Sequence, residues 1–171
     1  YSVGHPNLSD DGRLLFFASD MPGGYGETDL YVVRIAVDGT MSSPQNLGPT
    51  INTIGNDVFP FYRNGILYFS SDGHYGLGDL DIYESKLLDG LNFSVPRNLG
   101  APINSNKDDF SFIIDSKDNY GYISSNRAQG KGDDDIYYFT KGKPICNQLI
   151  SGKAINLKTK TGISDTFILV Y

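Results

Sequence analysis

The sequence predicts an all-β fold in which three blades, half of a six-bladed β-propeller, precede the first strands of a β-sandwich. One loop motif occurs three times with the same internal spacing, and the copies are 52 and 54 residues apart. A period of this length, filled with short apolar runs and turn residues, is typical of propeller blades. Glycine-rich loops interrupt each period before an apolar helix of about ten residues could form, which excludes helical repeats.

The repeated motif, called the signature loop here, begins at an Asp or Asn that follows a serine and ends at a tyrosine eleven residues later. Glycines lie four and six residues after the first position, and a second Asp lies nine residues after it. The signature residues are Asp20, Gly24, Gly26, Asp29 and Tyr31; Asp72, Gly76, Gly78, Asp81 and Tyr83; and Asn126, Gly130, Gly132, Asp135 and Tyr137. Because they recur with each blade, we expect them to be structural, whereas a catalytic residue is normally unique.

A second motif, Asn-Leu-Gly-x-x-Ile-Asn, occurs at residues 46–52 and again at residues 98–104. No third copy follows Phe139, although the signature loop before it is complete. We therefore predict that the third blade is the last of the ring and that sequence before Tyr1 supplies its fourth strand, which removes an exposed edge. The predicted blades cover residues 1–49, 50–101 and 102–142.

Each blade can be divided into short strands and turns. In the first blade, the predicted strands contain Leu8 and residues 14–18, 30–37 and 41–47, with turns at residues 10–12 and 38–39. The unbroken apolar run at 14–18 is typical of a strand buried on both faces. In the second blade, Asn64-Gly65 is a strong signal for a type I′ hairpin. The third blade has predicted strands at residues 110–112, 120–123 and 136–139.

Charge and composition exclude several classes of function. The net charge is −6 and no basic stripe is present, so a nucleic-acid partner is not expected. No run of about 18 apolar residues could span a membrane. Cys146 is the single cysteine, which rules out an intrachain disulfide and favours a small packed side chain over a nucleophile. Since the sequence starts at Tyr1 instead of Met and the repeat is already present by His5, we expect a fragment of a longer protein.

The acidic residues of the signature loops raise the question of a metal site. Asp79 and Asp81 in the second blade, and residues 133–135 in the third, offer oxygen ligands of the type that Ca²⁺ prefers. The known calcium loop needs acids at alternating positions and a terminal Glu, and the three copies do not share that pattern. We therefore predict no metal and no cofactor, and we expect Asp29, Asp81 and Asp135 to accept backbone N–H bonds that hold the loop.

No catalytic set can be assembled from the remaining polar residues. The signature glycines precede strands, whereas a phosphate-binding glycine loop opens a helix. His5 stands before Pro6, where a hydrogen-bonded packing role is expected, and His74 is expected to face solvent. The sequence therefore predicts a protein that is not an enzyme.

Residues 5–14, with the sequence His-Pro-Asn-Leu-Ser-Asp-Asp-Gly-Arg-Leu, resemble the TolB-like (PD40, WD40-like) propeller repeat. The resemblance covers residues 1–140. Blades two and three lack the Ser-x-Asp-Gly turn of the generic repeat. The signature loop and the Asn-Leu-Gly-x-x-Ile-Asn motif are similar to the propellers of OmpA-family lipoproteins of Bacteroidota.

Residues 143–149 are predicted to be a linker, and residues 150–171 alternate like two strands around a turn at 158–162. This segment, with Ser151-Gly152-Lys153-Ala154-Ile155 and Thr161-Gly162-Ile163, resembles the start of a carboxypeptidase-regulatory-like β-sandwich. In the lipoproteins named above, such a sandwich follows the propeller directly.

The resemblance implies a periplasmic, outer-membrane-associated scaffold. Its partners would be proteins of an outer-membrane complex, such as the type IX secretion machinery, and it would reach peptidoglycan through a domain beyond Tyr171 and the membrane through a lipid anchor before Tyr1. Two alternatives remain open at this stage. One is an accessory propeller of a prolyl-oligopeptidase-like hydrolase, whose further sequence would contain Gly-x-Ser-x-Gly. The other is a glycan-binding propeller, which would need exposed aromatic side chains.

The structural interpretation of the signature loop can be tested with Asp81→Ala. This change should lower the free energy of unfolding by about 1 to 3 kcal/mol, because backbone donors lose their acceptor. The loss should be the same with added Ca²⁺ or with a chelator, as measured by urea denaturation. A melting temperature that Ca²⁺ alone restores would favour a metal site instead.

Overall fold

A computed structural model describes residues 1–142 and 155–163. Within these ranges every regular element is a β-strand and no helix occurs, which confirms the predicted all-β class. The search for a helix able to cross a membrane found none in this part of the chain. The chain divides into two compact units, Tyr1–Lys141 and Gly142–Tyr171.

The first unit contains three antiparallel sheets. The first consists of β1 (Val3–Leu8), β2 (Leu14–Ser19), β3 (Asp29–Arg34) and β4 (Gln45–Asn46). The second consists of β5 (Asp57–Arg63), β6 (Ile66–Ser71), β7 (Asp81–Lys86) and β8 (Arg97–Asn98). The third consists of β9 (Asp109–Ile114), β10 (Tyr120–Ser125) and β11 (Asp135–Thr140). In each sheet, strands that follow one another in sequence are neighbours in space.

Two strands of the first sheet are shorter than predicted. β3 ends at Arg34 instead of residue 37, and the predicted strand at 41–47 is reduced to β4 with one bridge between Ile35 and Met41. The Ser42 hydroxyl accepts the Arg34 N–H at 3.0 Å, and the Ser42 N–H donates to the Arg34 carbonyl. A serine side chain thus takes the place of a ladder bond, so regular pairing stops there.

The hairpin at Asn64-Gly65 agrees with the prediction. Both residues have positive φ, 51° and 76°, and Arg63 pairs directly with Ile66. Positive φ at both central residues is the requirement of a type I′ turn, which matches the twist of the flanking strands. This turn sets the register of β5 and β6.

The first strand of each sheet contains a non-glycine residue with positive φ at an equivalent position. These residues are His5, Phe59 and Ser111, with φ of 52°, 52° and 54°. The register of the first strand with its neighbour shifts around each of them. The His5 ring stacks on Phe59 with centroids 3.8 Å apart, and together with Ser111 they line a cavity of about 180 Å³. The first strands of the three sheets therefore meet at their bulges.

The sheets stack face to face. Phe16 and Val32 of the first sheet lie in one buried cluster with Leu67 and Phe69 of the second. The opposite face of the second sheet buries Tyr68 and Ile82 against Phe112 and Ile123 of the third. The second sheet is therefore covered on both faces, which explains why β6 is apolar and buried without alternation. In β10, by contrast, buried and exposed residues alternate, because one face of the third sheet is exposed.

The second signature glycine marks the contact between neighbouring sheets. A Cβ at Gly26 would overlap the carbonyl oxygens of Thr53 and Gly55, and a Cβ at Gly78 would overlap the backbone of Lys107. At Gly132 the nearest atom would be the carbonyl oxygen of Asp134, 3.6 Å away. The first two glycines are thus required by the backbone that leads into the next sheet.

We expect Gly78→Ala to destabilise the 171-residue chain by about 1 to 3 kcal/mol, because the added methyl group forces the Lys107 backbone away. Gly132→Ala should change the free energy of unfolding by less than about 0.5 kcal/mol. Urea denaturation of both variants measures the difference. Equal losses would contradict the steric explanation, since both substitutions change the loop in the same way.

Candidate functional site

Each signature loop is held by its own aspartate. Asp29 accepts hydrogen bonds from the Tyr25 and Gly26 N–H groups at 2.6 and 3.1 Å. Asp135 likewise accepts from the backbone at residues 131 and 132, at 2.6 and 3.1 Å, and Asp81 accepts from residues 77 and 78. The predicted backbone bonds are therefore present in all three loops. They close each loop onto the start of its own third strand.

The first signature glycine gives this aspartate the space it needs. A Cβ at Gly76 would overlap the Asp81 carboxylate and lie 2.9 Å from the Tyr83 hydroxyl. The same crowding surrounds the other two first glycines, Gly24 and Gly130. The spacing from glycine to aspartate to tyrosine is therefore a steric requirement. The glycine lets the chain pass directly over the aspartate carboxylate and the tyrosine hydroxyl.

The first signature position links the first and second strands of each sheet. The Asp72 carboxylate accepts the Asn56 N–H at 2.6 Å, and the Asn126 side chain accepts the Asp108 N–H at 2.9 Å. Asp20 accepts the Ser2 N–H in the same way. Each of these donors directly precedes the first strand of its sheet. The contact therefore fixes the start of that strand against the start of the loop.

The two sequence motifs form one network. The Asn52 side chain binds both main-chain groups of Leu30, accepting its N–H at 2.8 Å and donating to its carbonyl at 3.0 Å. Asn52 also donates to the Asn46 side chain at 2.8 Å, and Asn46 donates to the Asp29 carboxylate at 2.7 Å. We call this pair of asparagines the asparagine clamp. It attaches the segment after the third strand to that strand and to the loop aspartate.

The second sheet has the same clamp. Asn104 binds the N–H and the carbonyl of Ile82, both at 2.9 Å, and donates to Asn98 at 2.8 Å. Asn98 donates to Asp81 at 3.2 Å. Both motifs are evident in the sequence, but the hydrogen bonds between them were not predicted. Their shared 52-residue period was the signal that the two motifs belong to one unit.

His74 does not face solvent, and that prediction was wrong. Its Nε2 lies 2.8 Å from the Ile51 carbonyl oxygen, and its ring packs against Phe69 and Tyr83. In the next loop, Arg127 has the corresponding role and donates to the Ile103 carbonyl at 2.6 Å. A partly buried carbonyl needs a donor, and a long polar side chain of the neighbouring loop provides it in both sheets.

Two further aspartates, absent from the predicted site, are fully buried at the start of β5 and β9. Asp57 accepts from the Thr53 N–H at 2.5 Å and its hydroxyl at 3.0 Å, and Asp109 binds Ser105 equivalently. Asp109 also forms an ion pair with Arg127. Within residues 1–142 and 155–163, the Oδ1 atom of Asp57 has no hydrogen-bond partner, and burial raises the pKa of this carboxyl group.

The other residues that could serve as catalytic groups or metal ligands lie apart from one another. His5 belongs to the bulge cluster, where burial lowers its pKa and its Nδ1 accepts the Phe59 N–H at 3.4 Å. Among residues 1–142 and 155–163 no group of three or more His, Cys, Asp or Glu is arranged to hold a metal ion. Cys146 and the predicted linker lie outside the described residues.

The predicted sandwich strands lie mostly outside the described residues as well. The described part, residues 155–163, contains one bridge between Ile155 and Gly162. The Asn156 N–H donates to the Thr161 carbonyl at 2.9 Å, and Lys160 has a positive φ of 60°. A tight turn therefore lies where the sequence predicts one.

Comparison of the chain with protein-family models and with curated proteins found no match. The function is therefore inferred from the geometry of the loops and sheets. In that geometry, loop aspartates, glycines and asparagines are engaged in holding the sheets together.

The raised pKa of Asp57 predicts an unusual pH dependence. The folded protein binds a proton at this group more tightly than the unfolded chain does, so the group favours folding at low pH and this contribution is lost as the pH rises. Relative to Asp57→Asn, the wild-type chain should therefore gain stability as the pH falls from about 7 towards the usual range of Asp near 4. Urea denaturation of both proteins across this range measures the difference.

Asp38 offers a control of opposite sign. Hydrogen bonds from the Thr40 N–H and hydroxyl lower the pKa of Asp38, so its contribution is lost as the pH falls. Relative to Asp38→Asn, the wild-type chain should lose stability only as the pH falls through the usual Asp value near 4 towards the lowered pKa of Asp38. The explanation for Asp57 would be wrong if both pairs of proteins diverged in the same direction.

Proposed function

We propose that this chain is part of a β-propeller, three blades of six, that serves as a non-enzymatic scaffold for protein partners. The support for a propeller is the arrangement of the sheets. They are short meanders, they stack face to face, and their first strands meet at the bulges of His5, Phe59 and Ser111. Radial repetition of such sheets leaves only short edges and produces a rigid disc.

The observation that carries the scaffold role is the use of the repeated polar residues. In two successive sheets the loop aspartate binds its own loop and an asparagine of the clamp. These bonds use the loop aspartates to hold the loop and the segment after the third strand in place. Rigid loops built in this way suit the presentation of a surface to another protein.

We further propose the cellular setting that the resemblance to TolB-like repeats of OmpA-family lipoproteins implies. In this proposal residues 150–171 begin a carboxypeptidase-regulatory-like β-sandwich, and residues 143–149 link it to the propeller. The full protein is anchored to the outer membrane by a lipid, faces the periplasm and holds peptidoglycan through another domain. The propeller then connects an outer-membrane complex, of the kind found in type IX secretion, to the cell wall.

The test is affinity purification of the full-length protein from detergent-solubilised envelopes, with sedimentation on peptidoglycan in the same sample. We expect an outer-membrane complex to be purified with the protein and the protein to sediment with peptidoglycan. A variant that lacks residues 1–142 should lose the complex and still sediment, since the proposal places the two contacts in different domains.

Other outcomes would overturn the proposal. Retention of the complex by the variant without residues 1–142 would assign the contact to another domain. A protein that binds neither partner and hydrolyses peptide or ester substrates would favour the accessory propeller of a hydrolase.

A further inference from the structure

The third sheet has the groups to which an asparagine clamp binds, and no described residue occupies them. Leu30 and Ile82, which the clamps of the first two sheets bind, have 0% of their surface exposed. The equivalent residue of the third sheet, Ile136, is 76% exposed. It lies on β11, which is an edge strand of its sheet within the described residues.

β11 pairs with its neighbour in the same register as β3 and β7 do in the other two sheets. Ile136 pairs with Ser124, just as Leu30 pairs with Ala18 and Ile82 with Ser70. In the first two sheets, the N–H and carbonyl of this residue point to the clamp. The N–H and carbonyl of Ile136 therefore form the same pair of donor and acceptor at the open edge of the third sheet.

Two side chains next to Ile136 have hydrogen-bonding capacity that no described residue uses. Asp135 binds its own loop as Asp29 and Asp81 do, but within the described residues no asparagine donates to it. The Tyr137 hydroxyl is buried and has no hydrogen-bond partner in the described part of the chain. A buried hydroxyl without a partner is unfavourable. In the second sheet, the equivalent Tyr83 hydroxyl donates to the His74 carbonyl of its own loop at 3.1 Å.

An apolar groove continues from this edge. It has a volume of about 270 Å³, lies between the second and third sheets and is lined by Tyr68, Leu99, Phe112 and Phe139. In the second sheet, Phe93 precedes β8 and packs against Phe16 of the first sheet, with ring centroids 6.4 Å apart. A strand added beside β11 would place its corresponding apolar residue towards the groove.

We propose that the open edge at Asp135, Ile136 and Tyr137 binds an extended segment with the sequence Asn-Leu-Gly-x-x-Ile-Asn. The first asparagine donates to the Asp135 carboxylate, and the second binds the N–H and the carbonyl of Ile136. The site follows from the three sheets alone, and it stands whether or not the chain has the scaffold role proposed above.

The occupant is a third copy of the motif, carried by a polypeptide segment outside residues 1–171. The chain itself contains two copies, at 46–52 and 98–104. Both are engaged, because Asn52 and Asn104 are only 2% and 1% exposed. A second copy of this chain therefore has no free motif to offer.

The test uses a fluorescent synthetic peptide with the sequence of residues 41–53, titrated with the 171-residue chain and followed by anisotropy. We expect saturable binding with one peptide per chain. A peptide with the changes Asn46→Leu and Asn52→Leu keeps its length and its original apolar residues and loses only the two amides. It should bind at least about tenfold more weakly, since the buried partner groups stay unpaired. This comparison leaves the folded chain unchanged.

A matched pair of protein variants locates the site. Asp135→Asn should weaken peptide binding by about tenfold, because the acceptor loses its charge. Asp133→Asn removes one negative charge from an exposed position of the same loop and should leave binding unchanged. Melting temperatures show that both variants are folded. The proposal is overturned by a lack of saturable binding, by equal binding of the two peptides or by equal effects of the two variants.

Discussion

Each four-stranded sheet depends on the hydrogen bonds of a buried carboxylate at the start of its third strand. Asp29 and Asp81 are 1% and 0% exposed, and burial of an unpaired charge would be costly. Each accepts two N–H groups of its own loop and the amide of an asparagine from the clamp. One carboxylate thus connects the loop, the third strand and the segment that follows that strand.

The same loops connect one sheet to the next. The carbonyl of Thr28 accepts the Asp57 N–H at 2.7 Å, and the carbonyl of Leu80 accepts the Asp109 N–H at 2.7 Å. Both carbonyls lie between the second signature glycine and the loop aspartate. A change in the loop aspartate therefore affects the following sheet as well as its own, and the repeats form a chain of nearest-neighbour contacts.

Because the repeated residues hold the loops and sheets together, the loops differ from one another at other positions. His74 and Arg127 are different residue types with the same structural role, while Tyr75, at the tip of the second loop, is fully exposed. If the chain has the scaffold role that we propose, its specificity resides in such exposed tips. The repeated aspartates, glycines and asparagines then keep these tips in fixed positions.

The sequence by itself determined the all-β class, the repeat and the local turn chemistry. Positive φ at Asn64-Gly65 and the loop bonds of Asp29 depend on residues within a few positions of one another, so spacing and residue type are sufficient to predict them. The tertiary structure decided which distant groups meet. Asn52 binds Leu30, and His74 reaches the carbonyl of Ile51. Partners more than 20 residues apart meet only when the strands have a definite register and stacking, and side-chain spacing alone does not contain that information.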